Sequence, residues 1–84
     1  MYKVVIPFRI QKKIKRFPKK DFERVKKAIS SLASSPYVGK KLRGRYAGKY
    51  SLRIWPYRII YTIKRQRLII EVIEVEHRSR AYKE

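Results

Sequence analysis

The sequence KYSLRIWPYRIIYTIK (residues 49–64) decides the fold, because apolar and polar residues alternate on both sides of Trp55-Pro56. Alternation with a period of two is typical of strands that bury one face. If the two halves pair as a hairpin with Ile54 opposite Tyr57, apolar residues face apolar residues throughout. A shift of one residue would destroy this match, so the register is well specified. Pro56 fits such a tight turn only with a cis peptide bond; otherwise we expect the connection to be one or two residues longer.

The same register brings two arginines together on the other face of the hairpin. Arg53 lies directly opposite Arg58, and like charges that face each other across strands destabilise a sheet. One interpretation is that both guanidinium groups extend into water. The other is that they hold a phosphate, for which arginine offers planar, bidentate hydrogen bonding and a permanent charge.

The flanking sequence predicts two helices and further strands. Tyr2–Pro7 is a β-branched run and predicts a first strand. Apolar residues then recur at helical spacing from Phe8 until Pro18 ends the helix, and Pro18 suits the first position of a second helix. Residues 36–48 hold all three glycines and predict a loop with at most a short extended piece. Arg67–Glu76 predicts a last strand, central because its start is apolar on both faces.

Length and composition restrict the class of protein. The chain has 84 residues, 44% of them apolar, which suits one domain over residues 1–84. The element order predicts an α+β fold, β-α-α-β-β-β, with two N-terminal helices packed on one face of a four-stranded, mainly antiparallel sheet. With no cysteine and one histidine, neither a metal nor another cofactor is expected. No apolar run approaches the ~18 residues of a membrane span and no signal peptide is recognisable, so we expect a cytoplasmic protein.

The chain carries a large excess of positive charge. Lysines and arginines number 24 against six acidic residues, a net charge of +18, and no acidic residue lies between Glu23 and Glu71. An ordinary solvated surface mixes both signs, so nucleic acid is the favoured partner, ahead of an acidic protein and an anionic membrane surface. Aromatic side chains among such cations suit stacking on the bases of single-stranded RNA. The expected RNA-binding residues are Lys40, Lys41, Arg43, Arg45, Lys49 and Trp55.

Two segments resemble the RelE/ParE toxin superfamily. Lys41–Ile63 contains a K-L-x-G element followed by Tyr-x-Leu-Arg and Tyr-Arg-Ile-Ile-Tyr strands, and Ile69–Tyr82 ends in His-Arg and a nearby tyrosine. The resemblance implies an RNase-like fold in a type II toxin–antitoxin pair, with a cognate acidic antitoxin as partner. RelE-type members cleave mRNA in the ribosomal A site, whereas ParE-type members poison DNA gyrase. With the charge, this favours a metal-independent, ribosome-dependent mRNA endoribonuclease; the alternatives are a gyrase inhibitor and a small basic RNA-binding module.

The resemblance also implies a catalytic set, and two positions depart from the family pattern. The first basic residue of the strand is Ser51 here, which leaves the general base open, and the glycine usual before the C-terminal motif is Glu76. The catalytic residues carried over by position are Arg53, Arg58, Arg78 and Tyr82, although the spacing from Arg78 to Tyr82 is shorter than in the best-known member of the family.

The chemistry implied is attack of the ribose 2′-hydroxyl on its own phosphodiester, which develops negative charge that preorganised cations stabilise. Arg53, Arg58 and Arg78 suit that role, but arginine stays protonated and transfers protons poorly. His77 is the only histidine, and imidazole exchanges protons readily near neutral pH. Guanidinium groups near Tyr82 would favour its phenolate. We therefore expect His77 or Tyr82 to transfer protons; the alternative for His77 is a surface residue that closes the strand.

Overall fold

The computed structural model describes the backbone of residues 1–81 and the side chains of residues 1–79. Short 3-10 helices at Gly44–Tyr46 and Arg65–Arg67 lie between strands. The elements are β1 (Lys3–Val5), α1 (Phe8–Lys15), α2 (Lys19–Ser31), β2 (Lys40–Lys41), β3 (Lys49–Ile54), β4 (Tyr57–Lys64), β5 (Ile69–His77) and α3 (Arg78–Ala81). The strands form one mixed sheet in the order β1-β5-β4-β3-β2, in which β1 is parallel to β5 and the other neighbours are antiparallel.

The β3–β4 hairpin has the register predicted from the apolar pattern. Trp55 and Pro56 form a two-residue turn, and the peptide bond between them is cis, as a tight connection requires. The paired residues are Ile54 with Tyr57, Leu52 with Ile59 and Tyr50 with Tyr61. The prediction of a specified register is therefore confirmed, and the connection does not lengthen.

The sheet has five strands, one more than predicted. The additional strand β2 lies in the segment expected to be a loop with a short extended piece, and it pairs Lys40 with Ser51 and Lys41 with Tyr50. A two-residue strand is too short to show an alternation, so its pairing has no sequence pattern. Pro18 also differs from the prediction, since it precedes α2 as its N-cap and is not its first residue.

Both helices pack on one face of the sheet, as predicted. Their apolar stripes meet alternate residues of the two central strands, β4 and β5, and each fully buried side chain contributes about 1.5–3 kcal/mol. The buried core consists of Ile10, Ile14, Val25, Ile29, Leu32, Tyr57, Ile59, Tyr61, Ile70, Val72 and Val75. Over the described residues, no helix is long and apolar enough to cross a membrane.

Helix α1 is fastened to the edge of β5 beyond the point where β1 ends. Arg9 Nη2 donates to the Ile73 carbonyl oxygen at 2.8 Å, and the Glu74 carboxylate lies 3.4 Å from Arg9 Nη1 and 3.1 Å from Lys13 Nζ. Burial opposes ionisation of Glu74, but hydrogen bonds from Lys13 and the Val75 amide, with the charges of Lys13 and Arg9, outweigh it and lower the pKa of Glu74. Glu74 is thus an ionised carboxylate that two cations neutralise.

Tyr61 joins the sheet to the segment before β2. Its buried hydroxyl donates to the Pro36 carbonyl oxygen at 2.8 Å and accepts from the Gly39 amide at 3.0 Å. A Cβ at Gly39 would lie 2.6 Å from that hydroxyl oxygen, so the close approach requires glycine. These two hydrogen bonds place the chain that leads into β2.

We expect Tyr61→Phe to lower the free energy of unfolding by about 1–3 kcal/mol, because the Pro36 carbonyl and the Gly39 amide lose a buried partner. Urea unfolding followed by circular dichroism measures the change. Tyr46→Phe is the control, since it removes a hydroxyl from an exposed ring and should shift stability by less than about 0.5 kcal/mol. Coincident unfolding curves for the two variants would contradict the role of the Tyr61 hydroxyl.

Candidate nucleic-acid interface

The sheet face opposite the helices is the floor of a cleft of about 990 Å³. The chain from Lys40 to Tyr46 forms one wall, and the floor includes Ile60, Ile73 and Glu74. Five of the six expected RNA-binding residues share this concave surface with one arginine of the predicted pair; the cations are Lys40, Lys41, Arg43, Arg45, Lys49 and Arg58. Arg9, Glu74 and Glu76 line the cleft as well, so the positive charges there outnumber the negative ones. An excess of positive charge on a concave surface attracts a polyanion.

The wall of the cleft is held by backbone contacts to β3. The Leu42 amide donates to the Lys49 carbonyl oxygen at 2.9 Å, which extends the β2–β3 pairing by one bond. Gly48, at φ +90°, then turns the chain back into β3 in a conformation that favours glycine. The Arg45 guanidinium carbon lies 6.0 Å from the centroid of the Tyr46 ring, so an aromatic face and a cation occur together on this wall.

A row of three charged residues crosses the cleft side of the sheet near the β3–β4 turn. Arg53 is the partner of Arg58, as predicted, and Arg58 is in turn the partner of Glu76 on β5. Directly paired residues of neighbouring strands share a face and lie about 5 Å apart. Arg53 is exposed, whereas Arg58 and Glu76 are half-buried. The row therefore places two guanidinium groups and one carboxylate side by side.

The last strand reaches this face through a β-bulge. The β4–β5 register shifts between Ile60 and Tyr61, whose partners are Glu74 and Val72, so that Ile73 is an additional residue on β5. Before the bulge Val72 is the buried residue, and after it Val75 is, so three positions and not two separate them. As a result, the carboxylate of Glu76 lies on the cleft side of the sheet.

Arg78 lies beside the β3–β4 turn. Its amide donates to the Pro56 carbonyl oxygen at 2.7 Å, and its guanidinium carbon is 4.8 Å from the centroid of the exposed Trp55 ring, a cation–π contact. Arg24 Nη2 of α2 donates to the Trp55 carbonyl oxygen at 2.7 Å. The turn is thus tied both to α2 and to the segment after β5. Trp55 accompanies Arg78 and does not line the cleft with the other expected RNA-binding residues.

His77 lies on the helix side of the sheet, away from the arginine row. It pairs with Tyr57 and meets that ring edge-on, with the ring centroids 5.7 Å apart. Its Nδ1 accepts from the Ser79 amide at 3.2 Å and lies 3.1 Å from the Ser79 hydroxyl oxygen. Successive residues of a strand point to opposite faces, and the sheet therefore separates the exposed imidazole of His77 from Arg58.

Tyr57, beside His77, has a structural environment. Its ring stacks on Phe17 with centroids 4.3 Å apart, and its hydroxyl donates to Asp21 at 2.9 Å. Burial and the hydrogen bond to Asp21 raise the pKa of Tyr57, so this phenol stays protonated. Tyr57 belongs to the core, as expected from the register. Tyr82, predicted to transfer protons, lies outside the described residues, and its role stays a prediction.

Residues 8–82 match the model of a family described as the ParE toxin of the type II toxin–antitoxin system ParDE. The chain belongs to the RelE/ParE toxin superfamily. It is similar to toxin RelG of Mycobacterium tuberculosis, with 35% identity over 57 residues, which span 67% of this chain and 66%, just under two thirds, of RelG. The toxin is thus a member of the superfamily that its motifs indicated.

Solved structures of similar fold belong to the same superfamily. The RelBE2 toxin–antitoxin complex from Mycobacterium tuberculosis gives a TM-score of 0.82 at 27% identity over 90% of the toxin and 96% of that chain. The archaeal RelE–RelB complex from Pyrococcus horikoshii gives a TM-score of 0.81 at 26% identity. The match covers 95% of this chain and 98% of the archaeal chain. The isolated RelE toxin of E. coli shares the fold, with a TM-score of 0.77 at 24% identity. The match covers 92% of this chain and 84% of the E. coli chain. The RelE-like α+β fold predicted for the toxin is confirmed.

Two residues of the toxin's site were not predicted from sequence. Arg24 fixes the turn that carries Trp55, and an exposed helical arginine carries no pattern that would indicate this. Glu76 was noted as a departure from the family pattern but not as a neighbour of Arg58. Their proximity depends on the β4–β5 register, which includes the bulge at Ile73 that no sequence pattern indicates.

Proposed function

We propose that the toxin is a ribosome-dependent endoribonuclease that cleaves mRNA in the cytoplasm and so inhibits translation. The observation that carries the proposal is the direct pairing of Arg53 with Arg58 beside a cleft lined by further cations. A phosphate placed between two facing guanidinium groups accepts hydrogen bonds from both, so the pair suits phosphate binding. The exposed faces of Tyr46 and Trp55 add stacking surfaces of the kind that single-stranded RNA uses.

The arginines suit stabilisation of the transition state. When the 2′-oxygen attacks the phosphorus, negative charge grows on the non-bridging oxygens and on the leaving 5′-oxygen. In this proposal Arg53 and Arg58, paired across β3 and β4, stabilise the charge on the non-bridging oxygens, and Arg78, beside the β3–β4 turn, is the third guanidinium group. The arginine side chains would thus supply the positive charge that stabilises the transition state. Because the sheet separates His77 from the row, Tyr82 is the stronger candidate to protonate the leaving oxygen.

The experiment that tests this function is toeprinting of an mRNA on programmed ribosomes with the purified toxin. The proposal requires new 3′ ends within the A-site codon, with none on the same mRNA free in solution. An intact mRNA on the ribosome would refute it.

A gyrase inhibitor is the second candidate, because the matching family model is that of ParE. The same preparation is therefore added to DNA gyrase in a supercoiling assay. Loss of supercoiling with an intact mRNA would favour the gyrase function, and cleavage with normal supercoiling would favour the nuclease.

We further propose that a cognate acidic antitoxin covers part of the basic surface. The net charge of +18 on a small core, and the antitoxin present in the RelBE2 and archaeal RelE–RelB complexes, support this. A partner that binds only the folded state at about 100 times its Kd adds about 2.7 kcal/mol of stability.

The antitoxin is expected to raise the melting temperature of the toxin by roughly 10–20 °C, given a shift of about 4–8 °C per kcal/mol for a domain of this size. Thermal melts with the acidic protein encoded by the adjacent reading frame measure this. A scrambled peptide of equal charge is the control. An unchanged midpoint at saturation would argue against the interaction.

A further inference from the structure

The cleft contains a carboxylate that a surface for binding polyanions does not need. Glu76 lines the same cavity as the cations, and a negative charge there repels phosphate. Two other carboxylates of β5 are neutralised, Glu74 by Arg9 and Lys13, and Glu71 by Lys64 at 3.2 Å. In contrast, among the described residues no cation lies within ion-pair distance of the Glu76 carboxylate, and Glu76 lines the cleft.

The position of Glu76 is set by the sheet. Arg58 lies between Arg53 and Glu76 in the β3–β4–β5 register, so the carboxylate flanks the guanidinium that would hold a phosphate. Directly paired side chains begin about 5 Å apart, so a carboxylate and a guanidinium at these two positions can contact the same nucleotide. Ser51 lies two residues from Arg53 along the same face, but a serine hydroxyl is not a base. Glu76 is the carboxylate beside Arg58, and a carboxylate is a group that can act as a general base.

We propose that Glu76 is the general base of RNA cleavage, an assignment that rests on the nuclease function proposed above. The carboxylate takes the proton of the 2′-hydroxyl, and the 2′-oxygen forms a bond to phosphorus. The bond from phosphorus to the 5′-oxygen then breaks, and that oxygen takes a proton from the general acid, the role proposed above for Tyr82. The products are a 2′,3′-cyclic phosphate and a 5′-hydroxyl. Arg53 and Arg58 stabilise the charge between the two proton transfers.

This role and a purely electrostatic one predict opposite results. If Glu76 only contributes negative charge, its neutralisation removes repulsion, and both RNA binding and cleavage should be equal or stronger. If Glu76 is the base, its neutralisation should leave binding equal or tighter but slow the chemical step, by about 10²- to 10⁴-fold. The rate of a single turnover and the Kd for RNA therefore separate the two roles.

The test compares Glu76→Gln with Glu71→Gln in single-turnover cleavage of ribosome-bound mRNA and in RNA binding. Both variants remove one negative charge from β5, but Glu71 does not line the cleft. We expect Glu76→Gln to cleave about 10²- to 10⁴-fold more slowly with RNA binding retained, and Glu71→Gln to behave as the wild type. Glu76→Asp, which keeps the carboxylate, should retain a larger part of the rate than Glu76→Gln. Thermal melts establish that each variant is folded.

The outcomes distinguish the base from the function on which it rests. If the wild type leaves ribosome-bound mRNA intact, the nuclease function is wrong and Glu76 has no such role. If the wild type cleaves and Glu76→Gln cleaves as fast, only the assignment of the base is wrong. A fall in cleavage that is fully explained by weaker RNA binding, or an equal fall in Glu76→Asp and Glu76→Gln, would also overturn the assignment.

Discussion

Arg78→Ala is expected to lower the rate of mRNA cleavage a few hundred-fold while ribosome binding stays nearly unchanged. Loss of one preorganised donor to the transition-state charge typically costs about 3–4 kcal/mol, whereas one phosphate contact among many contributes far less to binding. The fold should survive, because the Arg78 amide keeps its hydrogen bond to Pro56 in the variant. The contact with Trp55 is lost, at a cost of about 0.5–1 kcal/mol for an exposed cation–π pair.

The matched control is Arg67→Ala, which removes the same charge from an exposed 3-10 helix at the opposite end of β5. Single-turnover cleavage on ribosomes and growth inhibition are measured for both variants beside a binding assay. The assignment of Arg78 to the transition state fails if the two variants lose cleavage equally, or if Arg78→Ala cleaves as fast as the wild type.

Binding of single-stranded RNA is expected to weaken by about 100- to 300-fold as the monovalent salt rises from about 50 to about 200 mM. Each neutralised phosphate releases counterion with a slope of about −0.7 for single strands, and five or six engaged cations give this range. The contributing side chains are the cleft cations outside the ion pair of Arg9 with Glu74: Lys40, Lys41, Arg43, Arg45, Lys49 and Arg58. Fluorescence anisotropy over a salt series measures the slope.

Paired lysine variants locate the effect. Replacing Lys40 and Lys41 by alanine should reduce the slope by about 1.4, because both line the cleft. Replacing Lys19 and Lys20, exposed at the start of α2, should leave the slope unchanged. Binding that varies less than about threefold over the series, or equal slopes for the two double variants, would contradict a polyanion site in the cleft.

The hairpin and its arginine pair could be predicted because alternation extends over two whole strands. Once Ile54 was placed opposite Tyr57, the remaining pairs and the contact of Arg53 with Arg58 followed. The helices were predictable for a similar reason, since each presents a continuous apolar stripe to the core. The cis bond at Pro56 was recognised as the condition for a tight turn and is present.

The rest could not be predicted for physical reasons that differ from place to place. Strand β2 is two residues long and shows no period. Trp55 stands beside cations in sequence, but the turn directs it to Arg78 and away from the cleft. The face on which His77 lies cannot be read from the pattern of β5, because the start of this strand is apolar on both faces. The bulge at Ile73 also reverses the faces on which the later residues lie. Alternation counted along that strand therefore gives no unique answer.

The additional residue at Ile73 decides which side chains the cleft can use. Counted in strict alternation from the buried Val72, residues 74 and 76 would point into the core and residues 75 and 77 into the cleft. The insertion reverses this assignment, so valine and histidine exchange sides with two glutamates. One inserted residue thus alters the acid–base content of a surface without any substitution in the residues that follow it. In a small sheet, strand phase is a route by which new chemistry can arise from an unchanged set of residues.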